Sequence, residues 1–338
     1  MQLLRYLGRR LAFVIPQLLG ILLVSFALIK LIPGDPAVLM LGPTATKSAL
    51  EALRSQLGLD KPFFEQFGIY VWNVLHGNLG TSWQTTRPVL DDLLERFPAT
   101  LELVVLGLLL AVLIGVPLGV IAATRQKGVM RRVADYYGLA AGSIPDFWLA
   151  LMLIFVFYSV FQLAPPPMGR IDFAYLPPPT VTGSLVIDSL LAGDLGAAQS
   201  ALSHLVLPVL TLGLINAGPI LKITQSTMDR ALRSDFLAYA RMSGLPRRTI
   251  IRQAIHVSLP SVITIVSVLF SFAIGGAVLV EIVFSWGGAG QYAVQGVLNS
   301  DLNPVLGFVL FSAVLSLLTY LVVDLLYFAL DPRTRTST

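Results

Sequence analysis

The residues from Lys222 to Pro260, KITQSTMDRALRSDFLAYARMSGLPRRTIIRQAIHVSLP, are the most informative part of this chain. They lie between two strongly apolar stretches and carry seven basic side chains against two acidic ones, Asp229 and Asp235. Loops of membrane proteins that are rich in Lys and Arg remain on the cytoplasmic side. The segment therefore predicts a cytoplasmic loop between two membrane spans. Its basic residues are Lys222, Arg230, Arg233, Arg241, Arg247, Arg248 and Arg252.

The same segment predicts an ordered helix–turn–helix rather than a simple tether. Ser234 and Asp235 are residue types that cap a helix start, and Gly244 can end that helix in a left-handed turn. Pro246 suits the first turn of the next helix. A shaped surface on the cytoplasmic side of a membrane protein is expected to dock a partner. In the second helix one face is apolar and most of the arginines lie elsewhere; that face holds Ile250, Ile251, Ala254 and Ile255.

The composition of the whole chain indicates an integral membrane protein. Of its 338 residues, 55% are hydrophobic and 12% are charged, which is about half the charged fraction of a soluble domain. The sequence has no Cys, so disulfides and thiolate chemistry are excluded, and its three His are not paired at ligand spacing, so no metal site is expected. Basic cytoplasmic loops account for the net charge of +4, and no nucleic-acid partner is expected.

Six stretches are long and apolar enough to cross the bilayer, which takes about 20 residues. With the N-terminus inside, the four inner segments hold three, four, seven and two Lys or Arg residues, 16 of the 23 in the chain. This asymmetry predicts that both termini are cytoplasmic. The first stretch is too long for a signal peptide and lacks a cleavage site, so a retained anchor is expected. The predicted spans are Leu11–Ile32, Thr100–Ala123, Tyr136–Leu163, Leu205–Leu221, Val262–Val283 and Pro304–Leu330.

The predicted spans divide the chain into three parts. Residues 1–32 form the cytoplasmic N-terminus and first span, and residues 33–99 form an extracytoplasmic segment of short surface helices. Residues 100–338 form a core of five spans, with an external loop at 164–204 and the cytoplasmic loop at 222–260. Neither external segment has the length of a catalytic domain.

Several prolines lie inside the predicted spans. A proline in a span kinks the helix and frees carbonyl groups, which neighbouring helices or a water-filled cavity must satisfy. These residues indicate either ordinary packing irregularities or helices bent around a pathway. They are Pro16, Pro117, Pro145, Pro208 and Pro219.

Two acidic residues also lie in predicted spans, where acids are costly and usually face a pathway or a partner. Asp146 follows Pro145, roughly three turns into the third span. It would either face a cavity, where it could contact a substrate amine or a partner subunit, or form hydrogen bonds at the proline kink. Glu281 lies near the outer end of the fifth span. His204 and His256 are expected to be satisfied interfacial histidines rather than ligands.

A series of short motifs, in order along the chain, resembles the first, or B-type, permease subunit of the dipeptide, oligopeptide and nickel ABC importers. The most specific match is IGGAVLVEIVFSWGGAGQ, residues 274–291, which closes the fifth span. The others are PGDP (33–36), LGLDKP (57–62), GNLGTSW (77–83), RPVLDDLLERFPATLEL (87–103), IGVPLGVIAA (114–123), SIPDFWLALML (143–153), LPVLTLGL (207–214) and VDLLYFALDPRTR (323–335).

This resemblance implies a six-span, all-α permease fold of the type I ABC importers, with a cytoplasmic coupling-helix loop. The general importer pattern in that loop is Glu-Ala-Ala, three residues, Gly, and later Ile-x-Leu-Pro. Here the sequence reads Ala-Tyr-Ala at 238–240, Gly244 and Leu-Pro at 259–260, so the Glu is absent and the Leu-Pro comes three residues late. The residues implied to couple to the ATPase are Ala240, Arg241, Gly244 and Leu245.

The resemblance also implies which residues form the pathway or its gate. Glu281 matches a family position beside the outer turn, where we expect it to hold the sequence Phe-Ser-Trp. Asp146 is the second candidate in the pathway. The predicted gate residues of that turn are Phe284, Ser285 and Trp286.

The implied partners are a homologous second permease, two cytoplasmic ATPase subunits and an extracytoplasmic solute-binding protein, assembled in the bacterial inner membrane. The chain has no G-x-x-x-x-G-K-[ST] loop. It is therefore expected to be no enzyme and to bind no cofactor, with ATP and Mg on the partner subunits. The implied substrates are di- or oligopeptides; nickel chelates, glutathione and haem are the alternatives.

Other classes of protein remain as alternatives. An ion-coupled secondary carrier usually has more spans, internal repeats and midplane ion sites. An intramembrane hydrolase needs a nucleophile or paired carboxylates at one depth, which these residues do not supply. The basic loop could also simply attract anionic membrane lipid, at about 1 kcal/mol per charge.

Overall fold

The computed structural model describes residues 2–30, 36–42, 44–56, 58–125 and 128–330. Across these ranges the chain is helical, which agrees with its predicted all-α class. Pro33–Asp35 of the PGDP motif, Leu57, Lys127, Arg333 and Arg335 lie outside the described residues. The helices are α1 (Gln2–Lys30), α2 (Pro36–Leu41), α3 (Lys47–Gln56), α4 (Phe63–Leu75), α5 (Val89–Thr124), α6 (Val129–Ala141), α7 (Asp146–Leu153) with a π-helical continuation (Ile154–Val160), α8 (Leu185–Leu191), α9 (Leu195–Leu232), α10 (Asp235–Met242), α11 (Arg247–Val283), α12 (Ala289–Leu298) and α13 (Leu302–Leu330).

The described residues form two compact units. The first unit is drawn from Met1–Phe97 and Gln291–Leu318, and the second from Pro98–Gly290 and Thr319–Ser337. The second unit contains most of α5 and all of α6 to α11. It therefore contains every residue predicted to couple to an ATPase or to line a pathway.

The membrane-spanning character of the chain is confirmed by the lengths and composition of its helices. Among the described residues, four helices are long and apolar enough to cross a membrane by themselves, and a bent pair raises the number to five. The apolar part of α1, Phe13–Leu28, is shorter. All six predicted spans fall on these elements, so the six-span prediction is compatible with them. The four are Val89–Thr124, Leu195–Leu232, Arg247–Val283 and Leu302–Val323.

The span helices are longer than the predicted spans. Helix α9 runs from Leu195 to Leu232, whereas the prediction was Leu205–Leu221. At about 1.5 Å per residue its 38 residues extend over roughly 57 Å, against ~30 Å for the hydrocarbon core. Likewise α11 begins at Arg247 rather than at Val262. The prediction followed hydropathy, which reports only the apolar part of a helix that continues beyond the membrane.

The third span differs from its prediction because it is broken. Helices α6 and α7 meet at an angle of 110° instead of forming one helix over Tyr136–Leu163. Pro145 precedes α7 with an extended backbone, φ −66° and ψ 141°, and proline also disfavours the helical conformation of the residue before it. Asp146 is consequently the first residue of α7, not a residue three turns into a continuous helix.

Small residues let α5 and α9 approach closely in the second unit. A Cβ atom added to Gly115 of α5 would lie 2.7 Å from the carbonyl oxygen of Ala217, too close for any other residue type. Ala111, Ala217, Ile220 and Val262 form a buried cluster that joins these two helices to α11. Close packing through small residues is the usual basis of helix association in membranes, and it fixes these three helices as the frame for the sites below.

Candidate functional site

The short helix α10 begins as the sequence predicts. Ser234 is its N-cap, and the Ser234 Oγ accepts a hydrogen bond from the backbone N–H of Leu237 at 3.5 Å. Asp235 follows in the first turn, where a carboxylate favours the positive end of the helix dipole. Only Pro246 differs from its prediction: it caps α11 with an extended backbone, φ −64° and ψ 145°, and the first helical residue is Arg247.

Helix α10 ends in the predicted left-handed turn. Gly244 has a φ of +78°. Its N–H donates to the carbonyl of Arg241 at 3.1 Å, and the N–H of Leu245 donates to the carbonyl of Ala240 at 3.2 Å. These paired bonds form a Schellman motif, which satisfies carbonyl groups that the helix end would otherwise leave open. The direction in which the chain leaves α10 therefore depends on Gly244.

The inner face of α10 packs into an apolar core made by the ends of three span helices. Leu237 is fully buried in it, and Ala240 is 5% exposed. The apolar face predicted for the second helix is confirmed, because Ile250 and Ala254 are buried in this core and Ile251 and Ile255 pack against it. Helix α10 is thus fixed to α5, α9 and α11. The core consists of Ala123, Met228, Ala231, Leu237, Ala240, Ile250 and Ala254.

The outer face of α10 is exposed and largely apolar. Phe236, Tyr239 and Met242 are 60%, 70% and 80% exposed. They recur every three residues, and this spacing could have identified them from the sequence as one face of a helix. The prediction for this loop was based on its basic charge instead. Of the four predicted coupling residues, Arg241, Gly244 and Leu245 are exposed, while Ala240 lies on the inner face. Ala240 can therefore act only through the position of α10.

Two of the arginines in this segment bind the ends of span helices. Arg247 Nη2 donates a hydrogen bond of 3.2 Å to the carbonyl of Thr124, the last residue of α5. Arg241 Nη2 lies 3.5 Å from the carbonyl of Leu232, the last residue of α9. A cation at a helix C-terminus favours the negative end of the dipole. Arg241 and Arg247, two of the basic residues that indicated a cytoplasmic loop, thus join α10 and α11 to the neighbouring helices.

A charged network between α6 and α9 was not predicted. Asp135 Oδ1 accepts hydrogen bonds from Gln225 at 3.1 Å and from Lys222 at 3.4 Å. Arg131 lies 3.7 Å from Asp135 and 3.9 Å from Asp229. The spacing of Arg131 and Asp135, four residues apart on a helix, was the available signal. The network ties the first half of the broken span to the end of α9 that leads into α10.

Asp146 lies at the break in the third span and faces α11. The side chain is half-buried, and a Cβ atom added to Gly276 would lie 2.6 Å from its Oδ2. No atom lies within 4 Å of a Cβ added to the neighbouring Gly275. Among the described residues no side chain or backbone group is found to hydrogen-bond or ion-pair with the Asp146 carboxylate. Both alternatives for Asp146, facing a cavity or forming hydrogen bonds at the kink, therefore stay predictions.

Glu281 is fully buried at the end of α11. Thr100 Oγ1 donates to its Oε1 at 2.5 Å and itself accepts from the backbone N–H of Ala289 at 2.9 Å. Gly288 lies so close to the carboxylate that any Cβ there would overlap it. Glu281 thus fastens α5 to the chain on both sides of the Phe284–Trp286 turn.

The turn itself is held by backbone and ring contacts. The N–H of Trp286 donates to the Glu281 carbonyl at 2.8 Å, and its indole Nε1–H donates to the carbonyl of Ala99 at 3.1 Å. Phe284 and Trp286 are almost fully buried, whereas Ser285 is exposed with a φ of +51°. Of the three predicted gate residues, only Ser285 presents its side chain to the surroundings.

An ion pair joins the 164–204 segment to α5 and to this turn. Arg170 Nη2 lies 2.7 Å from Glu102 Oε2 and donates to the carbonyl of Gly183 at 2.8 Å. The Arg170 guanidinium lies over the Trp286 ring, 5.5 Å from its centroid, and Glu102 also accepts from Ser184. Arg170 and Glu102 are 68 positions apart in the sequence, which explains why no sequence pattern identified the pair.

Asp188 organises the same segment. Burial alone would raise the pKa of the Asp188 carboxyl, but hydrogen bonds from Thr182, Val181 and Gly183 outweigh it and hold the pKa below its usual value. The Thr182 N–H and Oγ1 donate to Asp188 Oδ1 at 2.7 and 2.8 Å. The loop before α8 is therefore closed on the ionised carboxylate at neutral pH.

The expectation that His204 and His256 are interfacial residues rather than ligands stays a prediction. His204 is buried with its Nδ1 2.8 Å from the carbonyl of Ser200, and His256 is exposed. Within the part of the chain that the structure describes, no three His, Asp or Glu side chains are grouped as a metal site.

Comparisons with known proteins place the chain in a family. Residues 115–336 match the family model described as the binding-protein-dependent transport system inner membrane component, and residues 3–104 match its N-terminal companion. A probable D,D-dipeptide transport system permease protein of Escherichia coli (strain K12) is 41% identical over 315 residues, 93% of this chain and 92% of that protein. The dipeptide transport system permease protein of the same strain is 37% identical over 336 residues, covering 98% and 99%.

A di/tripeptide transport system permease protein of Pseudomonas aeruginosa (strain UCBPP-PA14) is 39% identical over 335 residues, again 98% and 99% of the two chains. Each of these proteins matches nearly the whole of this chain, including α10 and the Phe284–Trp286 turn. The chain therefore belongs to the family of inner membrane components of binding-protein-dependent transport systems.

Proposed function

We propose that this chain is a permease subunit of an ATP-driven importer of peptides. Its relatives are named as permeases of dipeptide, D,D-dipeptide and di/tripeptide transport systems, which supports a short peptide as the substrate. The observation that carries the proposal is α10, a helix fixed by its inner face to three span helices while its outer face is left open. Such a helix suits a docking element for an ATPase.

The proposed arrangement in the inner membrane has both termini in the cytoplasm. Residues 1–32 are the cytoplasmic N-terminus and first span, and residues 100–338 are the permease core. Residues 33–99 and 164–204 face outward, and residues 222–260 face the cytoplasm. The excess of Lys and Arg in the inner segments supports this orientation.

The proposed assembly contains a homologous second permease, two ATPase subunits that bind ATP and Mg, and an extracytoplasmic solute-binding protein. The pathway would run between the two permeases. Each ATPase would receive the outer face of a coupling helix, here Phe236, Tyr239 and Met242 together with Arg241 and Leu245. The binding protein would deliver substrate to the outward-facing segments.

The proposed coupling is mechanical. Because the inner face of α10 shares a core with the ends of α5, α9 and α11, a displacement of α10 by a closing ATPase would move these helices as well. Away from α10, α5 and α11 carry the Thr100–Glu281 contact, and α11 also carries Gly276, which faces Asp146. A change at the cytoplasmic surface would thus reach the proposed pathway through continuous helices.

The test of this function is assembly and ATP dependence. We expect the chain to co-purify with a second permease and two ATPase subunits, and peptide uptake by the reconstituted complex to stop when the phosphate-binding Lys of the ATPase is replaced. Uptake that persists with the inactive ATPase, or with this chain alone, contradicts the proposal and favours an ion-coupled carrier. Identifying the ligand of the cognate binding protein then separates peptides from nickel chelates, glutathione and haem.

Asp146 is proposed to face the pathway and to interact with the cationic amine of the substrate. Asp146→Asn is expected to lower peptide transport about tenfold with normal assembly, because a hydrogen bond to a charged group contributes about 1.5–3 kcal/mol. The measurement is the rate of peptide uptake by proteoliposomes at matched protein content. If the Asp146→Asn variant takes up peptide at the wild-type rate, Asp146 has a structural role and does not contact the substrate.

Adjacent glycines provide a matched control for the Asp146 position. Gly276→Ala places a methyl group 2.6 Å from Asp146 Oδ2 and must displace the carboxylate, whereas the Cβ of Gly275→Ala meets no atom within 4 Å. We expect uptake to fall for Gly276→Ala only. Equal losses in the two variants would mean that α11 tolerates no methyl group here for reasons unrelated to Asp146.

A further inference from the structure

A cavity of about 480 Å³ lies in the first unit, and its lining includes none of the residues assigned to the ATPase contact or to the pathway. Its walls come from the end of α1, one face of α4, the 78–83 loop and the first turn of α13. The aromatic rings of Phe26, Tyr70 and Trp83 contribute to the lining. The cavity is thus large enough for a small organic group and has both apolar and polar walls.

The cavity lies beside the ends of two apolar helical stretches. The apolar stretch of α1 ends at Leu28, two residues before Lys30, and the apolar stretch of α13 begins at Leu302. Lys30 and Leu302 both line the cavity. Phe26 stacks on Tyr70 of α4 with ring centroids 5.5 Å apart. Aromatic and basic side chains of this kind are enriched at the depth of lipid headgroups.

The cavity favours an anionic ligand. Of the described residues that line it, Lys30 alone is charged. Its Nζ lies 2.5 Å from Gln66 Oε1, a neutral partner, and 5.4 Å from the centre of the Phe26 ring. An ammonium group with a neutral neighbour retains donors for a phosphate oxygen.

Tyr70 provides an independent indication of a ligand. Tyr70 lines the cavity, and its hydroxyl oxygen is buried without a hydrogen-bond partner among the described residues. A buried hydroxyl without a partner is unfavourable and is normally satisfied by protein, water or a ligand. The amide of Asn73, one turn along the same face of α4, adds a second neutral polar group.

We propose that this cavity binds the phosphate of an anionic phospholipid headgroup, with Lys30 as the cationic contact and the Tyr70 hydroxyl as a neutral donor. The aromatic walls would contact the glycerol and the start of an acyl chain. In the proposed orientation this is the outer leaflet of the inner membrane. The site would anchor the first span and the 33–99 segment to the lipid around the transporter.

The test compares lipid retention by the purified full chain with its partner subunits, in nanodiscs of phosphatidylcholine with a minor fraction of phosphatidylglycerol. Phosphatidylglycerol retained after transfer to detergent is counted by native mass spectrometry. Lys30→Met is expected to retain about tenfold less, because one charge-assisted contact is lost. Lys61→Met is the matched control: Lys61 pairs with Glu65 at 2.9 Å, just before α4, and does not line the cavity. Equal losses in the two variants would overturn the proposal.

Two further measurements keep the proposal testable if Lys30→Met fails to assemble. Tyr70→Phe preserves the ring contacts and removes only the hydroxyl, so it is expected to lower phosphatidylglycerol retention severalfold; unchanged retention would overturn the role of the hydroxyl in binding. Excess inorganic phosphate is expected to leave the retained lipid in place. Displacement of phosphatidylglycerol by free phosphate would mean that the cavity is a site for soluble phosphate, and would overturn the lipid source.

Discussion

Gly244→Val is expected to lower ATP-driven transport at least about fivefold while the membrane spans remain inserted, since couplings between distant sites typically correspond to 5- to 150-fold effects. Gly244 has a φ of +78°, a conformation that costs a residue with a Cβ about 1–2 kcal/mol. No atom lies within 4 Å of a Cβ built at this position. The penalty is therefore one of backbone conformation, which the chain relieves by changing the end of α10.

The change is expected at the surface that the ATPase is proposed to contact. The Schellman bonds at Gly244 and Leu245 hold the last turn of α10, with Met242 and Arg241 on it. Losing them would displace that turn from the docking surface. The measurements are a pull-down of the ATPase subunits and the ATPase activity of the reconstituted complex, with and without loaded binding protein. Full recruitment and full stimulated turnover in Gly244→Val would show that α10 is not the coupling element.

Gly193 offers a control with the same strain in a different place. Its φ is +75°, a Cβ there also meets no atom within 4 Å, and it lies in the turn between α8 and α9. Gly193→Val should therefore cost similar stability and leave recruitment of the ATPase subunits at the wild-type level. If both variants lose recruitment equally, general destabilisation explains the result and the assignment of α10 fails.

The helix–turn–helix at 234–255 was the part of the fold that local sequence rules predicted best. Capping by Ser234 and the left-handed Gly244 depend on a few neighbouring residues, and both are found as predicted. Helix length was predicted worst, because hydropathy marks where a helix enters lipid and not where its hydrogen bonds end. Helix α9 thus extends ten residues before and eleven after its predicted span, Leu205–Leu221.

The contacts that define the candidate site are the part that sequence could not supply. Glu281 and Thr100 are 181 residues apart, and Arg170 and Glu102 are 68 apart, so their pairing depends on how the helices pack. Ala240 shows the converse limit. The resemblance implied that Ala240 couples to the ATPase, and only the three-dimensional arrangement reveals that its side chain packs within this chain.

Glu281→Ala is expected to destabilise the second unit by about 3 kcal/mol, since it removes a buried side chain and leaves the Thr100 hydroxyl without its acceptor. Glu281 is fully buried and fastens α5 to the Phe284–Trp286 turn through Thr100. We therefore expect a lower midpoint of thermal unfolding in detergent, faster proteolysis at the exposed Ser285, and loss of peptide uptake. The midpoint and the proteolysis rate are measured on the assembled complex.

Glu281→Gln distinguishes the two roles that the sequence left open for this residue. The amide keeps the shape of the side chain and an oxygen that can accept from Thr100 Oγ1, so a structural role predicts that Gln retains most of the stability and uptake that Ala loses. A role for the negative charge in the pathway predicts instead that both variants lose uptake equally, with a near-wild-type midpoint for Gln. We expect the first result, because a carboxylate packed against Gly288 with no exposed surface can reach a substrate only after the turn that buries it has opened.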